Sequence, residues 1–291
     1  MPRPFRFGVN MMSPAPADEW REKCRRAEQL GYDVILVPDH LGMPSPFPAL
    51  VAAAEATERP RLGTFVLNAG FWNPTLLARE VATTDALTGG RLELGLGTGY
   101  IQAEHDTAGL PFGSARERVD HLVRTVEELE RLLGSAGLPG SRVPLLIGGN
   151  GDRMLRLTAE HADIAAFAAV RLVPGSTTGT LDPLTAEELD ERVAAYQRLA
   201  ADRKEPAELN VLVQIVAVTD DREAAARELL PRLPRLTVEQ ILGLPILLVG
   251  TVEQITAQVR AQRERYGFSY VTVLEPYMEA FGEVIKALRV E

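Results

Sequence analysis

Apolar and polar positions along this chain change period repeatedly, from runs with strand character to stretches with helical spacing. Residues 5–10 (FRFGVN) read as a strand, 17–31 as an amphipathic helix with Asp18 at its N-cap, and 33–38 (DVILVP) as a fully apolar strand of the kind covered on both faces. Strands at 61–67, 91–96, 143–147, 163–167, 209–217 and 268–274 follow. Helices at 47–58, 74–87, 114–133, 150–161, 185–203, 220–230, 251–265 and 276–289 are interleaved with them. The densest stretch is 73–100. Pro74 suits a first helical turn, where its missing N–H costs nothing. Leu77, Val81, Thr84 and Leu87 share one predicted face, and Gly89-Gly90 stops the helix. A short strand then runs into Gly97-Thr98-Gly99, where the absence of Cβ atoms lets backbone N–H groups approach a ligand.

The alternation breaks twice. Residues 168–184 (AAVRLVPGSTTGTLDPL) are rich in Gly, Pro, Ser and Thr and read as a long, mobile substrate loop. Residues 231–250 carry early prolines and a late apolar run, which reads as a short helix or insertion. Eight candidate strands in 291 residues, with no linker-like composition and no internal repeat, favour one unit over two doubly wound domains. The predicted fold is therefore of the α/β class: a single (β/α)8 TIM barrel with insertion loops.

Composition narrows the partners. Apolar residues make up 46% and charged residues 24%, enough to bury a large core. A formal charge of −9 and dispersed basic residues argue against nucleic acid, which needs a cationic face. No run approaches the roughly 18 apolar residues of a membrane span, and the first ten residues lack the apolar core of a signal peptide. The single cysteine, Cys24, forms no internal disulfide and sits on a helix as a small buried hydrophobe. The expectation is a cytoplasmic protein that binds a small molecule.

In a barrel, reactive groups follow the strands. Five successive predicted exits carry polar or glycine-rich residues: Asn10-Met11-Met12, Pro38-Asp39-His40, Leu67-Asn68, Gly97-Thr98-Gly99-Tyr100 and Gly148-Gly149-Asn150-Gly151. His40 is the group best suited to proton transfer near neutral pH, and Asp39 either orients it or caps the segment that follows. Tyr100 and Glu104 are candidate proton donors. Gly148 to Gly151 open a predicted helix, a place for an anion such as a phosphate, with Arg153 as an added charge or a solvent-facing residue. His105 is placed in the loop after Tyr100, His121 mid-helix and His161 at a helix end, all three structural or solvated. No His/Cys cluster, H-E-x-x-H or G-x-S-x-G is present, so neither a metal centre nor a serine nucleophile is predicted. The Gly95-x-Gly97-x-Gly99 spacing does not open a helix and is no dinucleotide fingerprint.

Taken in order, segments 5–9 (FRFGV), 27–33 (AEQLGYD), 38–40 (PDH), 61–66 (RLGTFV), 73–80 (NPTLLARE), 88–99 (TGGRLELGLGTG), 144–149 (PLLIGG) and 248–251 (LVGT) resemble the luciferase-like monooxygenase superfamily. The likeness is greatest to its F420-dependent oxidoreductase branch. It covers residues 5–170 most clearly and 245–275 more weakly. It implies coenzyme F420, or FMN as the alternative, held at the strand exits, with hydride passing between the deazaflavin C5 and a small organic substrate. It also implies that Asp39 and His40 lie beside the ring, that a cis peptide at Phe65-Val66 backs it, and that Asn68 reaches its polar edge. Gly97, Thr98 and Gly99 would flank the cofactor tail, and Gly148, Gly149, Asn150 and Gly151 would receive its phosphate. A homodimer is implied too, and a flavin reductase partner if the cofactor is FMN. Tyr100 stands where some F420-dependent members carry Glu, which weakens a sugar-phosphate dehydrogenase reading. Trp72 is expected to shape the substrate pocket or to pack in the core.

Overall fold

The computed structural model describes residues 3–135 and 143–290. In chain order the first elements are β1 (Arg6–Asn10), α1 (Ala17–Gln29), β2 (Val34–Val37), α2 (Pro46–Ala56), β3 (Arg61–Thr64), β4 (Leu67–Asn68), α3 (Pro74–Leu87) and β5 (Leu92–Gly97). Next come α4 (Gln102–Ala108), α5 (Ala115–Ser135), β6 (Leu145–Gly148), α6 (Asp152–His161), β7 (Ile164–Phe167), β8 (Val170–Leu172), β9 (Leu181–Pro183) and α7 (Ala186–Leu199). The chain continues with β10 (Glu208–Val213), β11 (Ile215–Val218), α8 (Arg222–Leu229), α9 (Val238–Leu242), β12 (Leu247–Gly250), α10 (Val252–Tyr266), β13 (Phe268–Leu274) and α11 (Met278–Arg289).

Strands β3, β2, β1, β13, β10, β7, β6 and β5 pair in that order, and β5 pairs back to β3 through Leu62 with Leu92 and Gly63 with Glu93. Every one of these pairings is parallel, which closes the predicted eight-stranded barrel. Its interior is filled by side chains. Val34, Leu36, Leu146, Ile164 and Tyr270 form the middle, and Gly63 makes room there, since a Cβ on it would sit 2.8 Å from Leu36. The N-terminal end is closed by charge instead: Arg6 pairs with Glu93 and Glu208, and Arg61 Nε lies 2.7 Å from Glu93. The helices cover the outside, where odd-numbered β1 residues Phe7 and Val9 meet a second apolar layer. Cys24 is fully buried there, and burial pushes its thiol up to about 12, as expected of a structural cysteine.

Several sequence expectations are corrected. Helix α1 starts at Ala17 with Pro16 as N-cap, and Asp18 sits in its first turn, 3.1 Å from Arg21. On α3 the buried face is Leu77, Ala78, Val81 and Thr84, whereas Leu87 is 59% exposed. The run 61–67 is interrupted by a cis Phe65–Val66 peptide between β3 and β4. The run 209–217 splits at Gln214, because β11 leaves the barrel to pair in parallel with β12. The short helix expected within 231–250 is present as α9, but the late apolar run after it is a strand, β12. Residues 168–184 contain an antiparallel hairpin, β8 with β9, and the segment after Tyr100 forms α4. Among the described residues no helix is long and apolar enough to cross a membrane.

Candidate active site

A cavity of about 920 Å³ lies at the C-terminal end of the barrel strands, within the size range of small-molecule sites. Apart from Trp72 and Arg153, the candidate residues read from the sequence line it: Asp39 and His40, Phe65, Val66 and Asn68, Gly97 through Tyr100, Glu104, and Gly148 through Gly151. The structure thus gathers the exits of β2, β4, β5 and β6 around one space. Its outer wall is the β8–β9 hairpin, through Leu172 and Leu181.

His40 is held from a distance in sequence. Its Nδ1 lies 3.0 Å from Glu104 Oε1 and 3.1 Å from Oε2, and the Leu41 N–H donates to the same carboxylate at 3.2 Å. A carboxylate only accepts, so Nδ1 carries the proton of the neutral ring and Nε2 is left as an acceptor. The Tyr100 ring meets the imidazole edge-on at 5.9 Å, and burial, with Glu104 nearby, pushes the Tyr100 phenol above its ordinary range. The phenol therefore keeps its proton at neutral pH.

Asp39 does not orient His40. Its Oδ2 accepts from the Trp72 Nε1–H at 3.0 Å and the Asn68 N–H at 3.2 Å, which ties the β2 exit to β4. Burial pushes this carboxyl above the usual carboxylate range, with the Trp72 and Asn68 hydrogen bonds acting against that rise. Trp72 packs edge-on against Phe47 at 5.3 Å and serves as the donor to Asp39; it is not part of the cavity wall.

Asn68 is also anchored. Its Oδ1 accepts from the Gly70 N–H and its Nδ2 donates to His105 Nε2, both at 3.0 Å. His105 is a buried residue of α4, not a loop residue, and its Nδ1–H donates to the Pro111 carbonyl at 3.0 Å. Adjacent residues of one short helix, Glu104 and His105, therefore fix groups from two different strand exits. His121 and His161 take structural partners, the Ala69 carbonyl and Glu130, each at 3.0 Å.

The glycines of β5 and its exit have a reason other than ligand approach. A Cβ at Gly95 would lie 2.0 Å from the Thr64 carbonyl oxygen, at Gly97 2.7 Å from Val66 Cγ2, and at Gly99 2.1 Å from Asn68 Oδ1. Gly95 and Gly97 admit the bulge, and Gly99 admits the Asn68 carboxamide. Gly149 has φ +144° and would crowd Met154 at 3.1 Å, while Gly151 faces open space. Helix α6 begins after Gly151 with no side-chain cap, so its first-turn N–H groups lack a capping side chain and suit an anion. Asn150 is drawn aside, donating to the Val170 carbonyl at 2.9 Å. Arg153 turns away to Asp120.

The sequence reading missed the cavity residues outside the motifs. Arg171, Glu188, Glu191 and Arg192 line it from the hairpin and α7, and Gln214 from the β10–β11 junction, while Asn10, already marked as a polar strand exit, lines it from β1. Glu188 and Arg192 stand at i and i+4 on the predicted helix, the only local hint that they share a face. The hairpin itself rests on α4: the Ala103 N–H donates to the Thr177 carbonyl at 3.2 Å, and a Cβ at Gly179 would meet Tyr100 and Ile101 at 2.7 Å. Among the described residues no group of three or more His, Cys, Asp or Glu side chains is arranged for a metal ion.

A flat conjugated ring with an anionic tail suits this arrangement, with Val66 of the bulge as backing and the α6 N-terminus for the anion. The family profile described as luciferase-like monooxygenase matches residues 3–265. Over 119 residues the chain is 33% identical to the oxygenase component of a flavin-dependent trigonelline monooxygenase from Acinetobacter baylyi, covering 38% of this chain and 33% of that protein. Over 118 residues it is 38% identical to an F420-dependent glucose-6-phosphate dehydrogenase from Intrasporangium calvum, covering 37% and 35%. The matches thus span about a third of each of these curated relatives. An F420-dependent secondary alcohol dehydrogenase, solved with an F420–acetone adduct, superposes with a TM-score of 0.76 at 18% identity over 99% of this chain and 100% of that one. That likeness is one of fold.

Proposed function

Because this chain belongs to the luciferase-like monooxygenase family, we propose that it is an F420-dependent oxidoreductase that moves hydride between the deazaflavin C5 and a small organic substrate. The reaction is reduction of a C=C or C=N bond, or oxidation of an alcohol. The observation that carries this reading is the His40–Glu104 pair at the edge of a largely apolar cavity.

The residues present fit such a cofactor. Val66 and Phe65 would give one wall, Gly97 and Gly148 would leave room beside it, and the α6 N-terminus with Gly149 and Gly151 would hold the phosphate. When bound, the deazaflavin supplies hydride exchange at C5 with little tendency to activate oxygen. The protein's part is geometry and one proton. With Glu104 accepting from Nδ1, the His40 Nε2 takes a proton from a substrate hydroxyl as hydride leaves its carbon, or returns one in the reverse direction. Glu104 then faces the imidazolium and stabilises it. Apolar groups of the hairpin exclude water from the hydride path.

The match to the trigonelline monooxygenase component supports a second reading, an FMNH2-dependent monooxygenase served by a flavin reductase. Oxygen separates the two. Cofactor oxidation or reduction followed optically against a panel of enones, imines and secondary alcohols is expected to proceed at the same rate with and without oxygen. Turnover that needs FMNH2 and consumes oxygen would replace the first reading by the second.

A further inference from the structure

Asn10 stands at the exit of β1, 5% exposed, and forms part of the cavity wall. Its Oδ1 is buried without a hydrogen-bond partner. The register explains why: the residues beside it on the neighbouring strands are Leu36 of β2 and Leu274 of β13, and neither side chain has a donor. A buried acceptor left unpaired among leucines is unfavourable, and such groups are uncommon in folded proteins. Asn68, by contrast, has its carboxamide tied to Gly70 and His105. Of the three asparagines at strand exits, Asn10 and Asn150 each keep an unpaired Oδ1; Asn150 belongs to the β6 exit, where the cofactor phosphate is expected, which leaves Asn10 as the acceptor for substrate.

Its position separates it from the expected cofactor contacts. Those lie at the exits of β2 to β6, whereas Asn10 stands on β1, next to β2, where the arc of the wall that carries Leu212, Gln214 and Leu274 begins. Charge around the cavity adds a second constraint. Arg171 and Arg192 are the only lysine or arginine side chains among the described residues that line it, and each is already paired at 2.7 Å, with Glu188 and Asp152. Asp39, Glu104, Glu188 and Glu191 line it as well. A carboxylate or phosphate on the substrate would meet more acid than free base.

We infer that Asn10 is a specificity residue that accepts a hydrogen bond from an N–H or O–H of the substrate, and that the substrate is an uncharged, largely apolar molecule bearing such a donor. The assignment rests on the proposed cofactor placement for its claim that substrate, and not cofactor, is what Asn10 touches. A site built to pair with a donor rejects the analogue that lacks it more strongly than an apolar pocket rejects a methyl group.

The test uses the full-length protein, loaded with whichever of F420 or FMN it binds, and matched neutral probes followed by ligand-observed NMR. The probes are cyclohexanol with cyclohexyl methyl ether, benzamide with N,N-dimethylbenzamide, and benzoate and glucose 6-phosphate as anions. Each donor-bearing probe is expected to bind about tenfold more tightly than its methylated counterpart, and the anions more weakly than benzamide. Asn10→Leu should abolish that preference, leave cofactor affinity unchanged and keep or raise Tm, because it replaces an unpaired polar group by an apolar one of similar size. Asn10→Asp, which keeps the acceptor, should keep the preference.

Equal binding within the pairs, the same preference in Asn10→Leu, tighter binding of the anions, or no binding of any donor-bearing probe would overturn the inference. Weaker cofactor binding in Asn10→Leu would also overturn it, by moving Asn10 to the cofactor. Should neither cofactor bind, the proposed function fails on its own, and the same pairs on the apo-protein still decide whether Asn10 reads a donor.

Discussion

His40 Nδ1 lies 3.0 Å from Glu104 Oε1, a contact between residues 64 positions apart that joins the exit of β2 to helix α4. It sets the tautomer of the imidazole and so leaves Nε2 as the acceptor. Glu104→Gln places an amide beside Nδ1, which can donate, so the Nε2–H tautomer becomes favoured. Long-range 1H–15N spectra of the imidazole at neutral pH should show the Nδ1–H form in the wild type and the Nε2–H form in the variant. Turnover is expected to fall about 10²-fold or more with His40→Ala, and the double variant should be little worse than that single one. An unchanged tautomer in Glu104→Gln would remove Glu104 from its positioning role.

The glycines of β5 give a stability prediction. In Gly97→Ala the new Cβ would lie 2.7 Å from Val66 Cγ2, on the bulge that backs the cavity, so the variant should lose about 1–3 kcal/mol in denaturant unfolding. Gly151→Ala meets nothing within 4 Å and should change stability by less than about 0.5 kcal/mol. Equal stability of the two would mean that the bulge yields and that the β5 glycines answer to something else.

Gly179 tests the hairpin. Its φ is +81°, and a Cβ there would press on Tyr100 and Ile101 at 2.7 Å, so Gly179→Ala should lift residues 173–180 from α4. Hydrogen exchange at the Ala103 amide, which donates to Thr177, is expected to quicken several-fold while protection of the barrel strands holds. Unchanged exchange at Ala103 would show that the hairpin does not depend on this contact.

Glu275 gives a pH dependence with a definite sign. Burial alone would raise its carboxyl, but hydrogen bonds from the Ser13 N–H, the Lys23 ammonium and the Met12 N–H prevail and hold it below the usual carboxylate range. A depressed folded-state value means stability that is present above the unfolded carboxylate pKa and lost as pH falls through the folded one. Glu275→Gln should therefore be less stable than the wild type by about 1–3 kcal/mol at pH 7, and the gap should close in acid below about pH 4. A gap that persists there would assign the loss to packing.

Much of this was legible in the sequence. Strand and helix periods marked all eight barrel strands, because fully buried parallel strands are short apolar runs between amphipathic helices. Their exits marked the cavity. The apolar run 247–250 lacked flanks that distinguish a strand from a buried helix turn, so β12 stayed hidden in a presumed insertion. Helix α4, QAEHDTA, has almost no apolar periodicity; its role in pinning His40 and Asn68 is set by long-range contacts that spacing does not reveal. The pairing of His40 with Glu104, not Asp39, is of that kind. So is Asn10: its place at an exit is visible, but its isolation between Leu36 and Leu274 exists only in the register.

The central claim is a deazaflavin site, and equilibrium titration of the apo-protein with F420 and with FMN, followed by fluorescence at fixed salt, tests it most directly. Binding of F420 at micromolar concentration or below, with FMN at least about tenfold weaker, is the predicted result. A preference for FMN would contradict it and favour the oxygen-dependent reading, and binding of neither would contradict both.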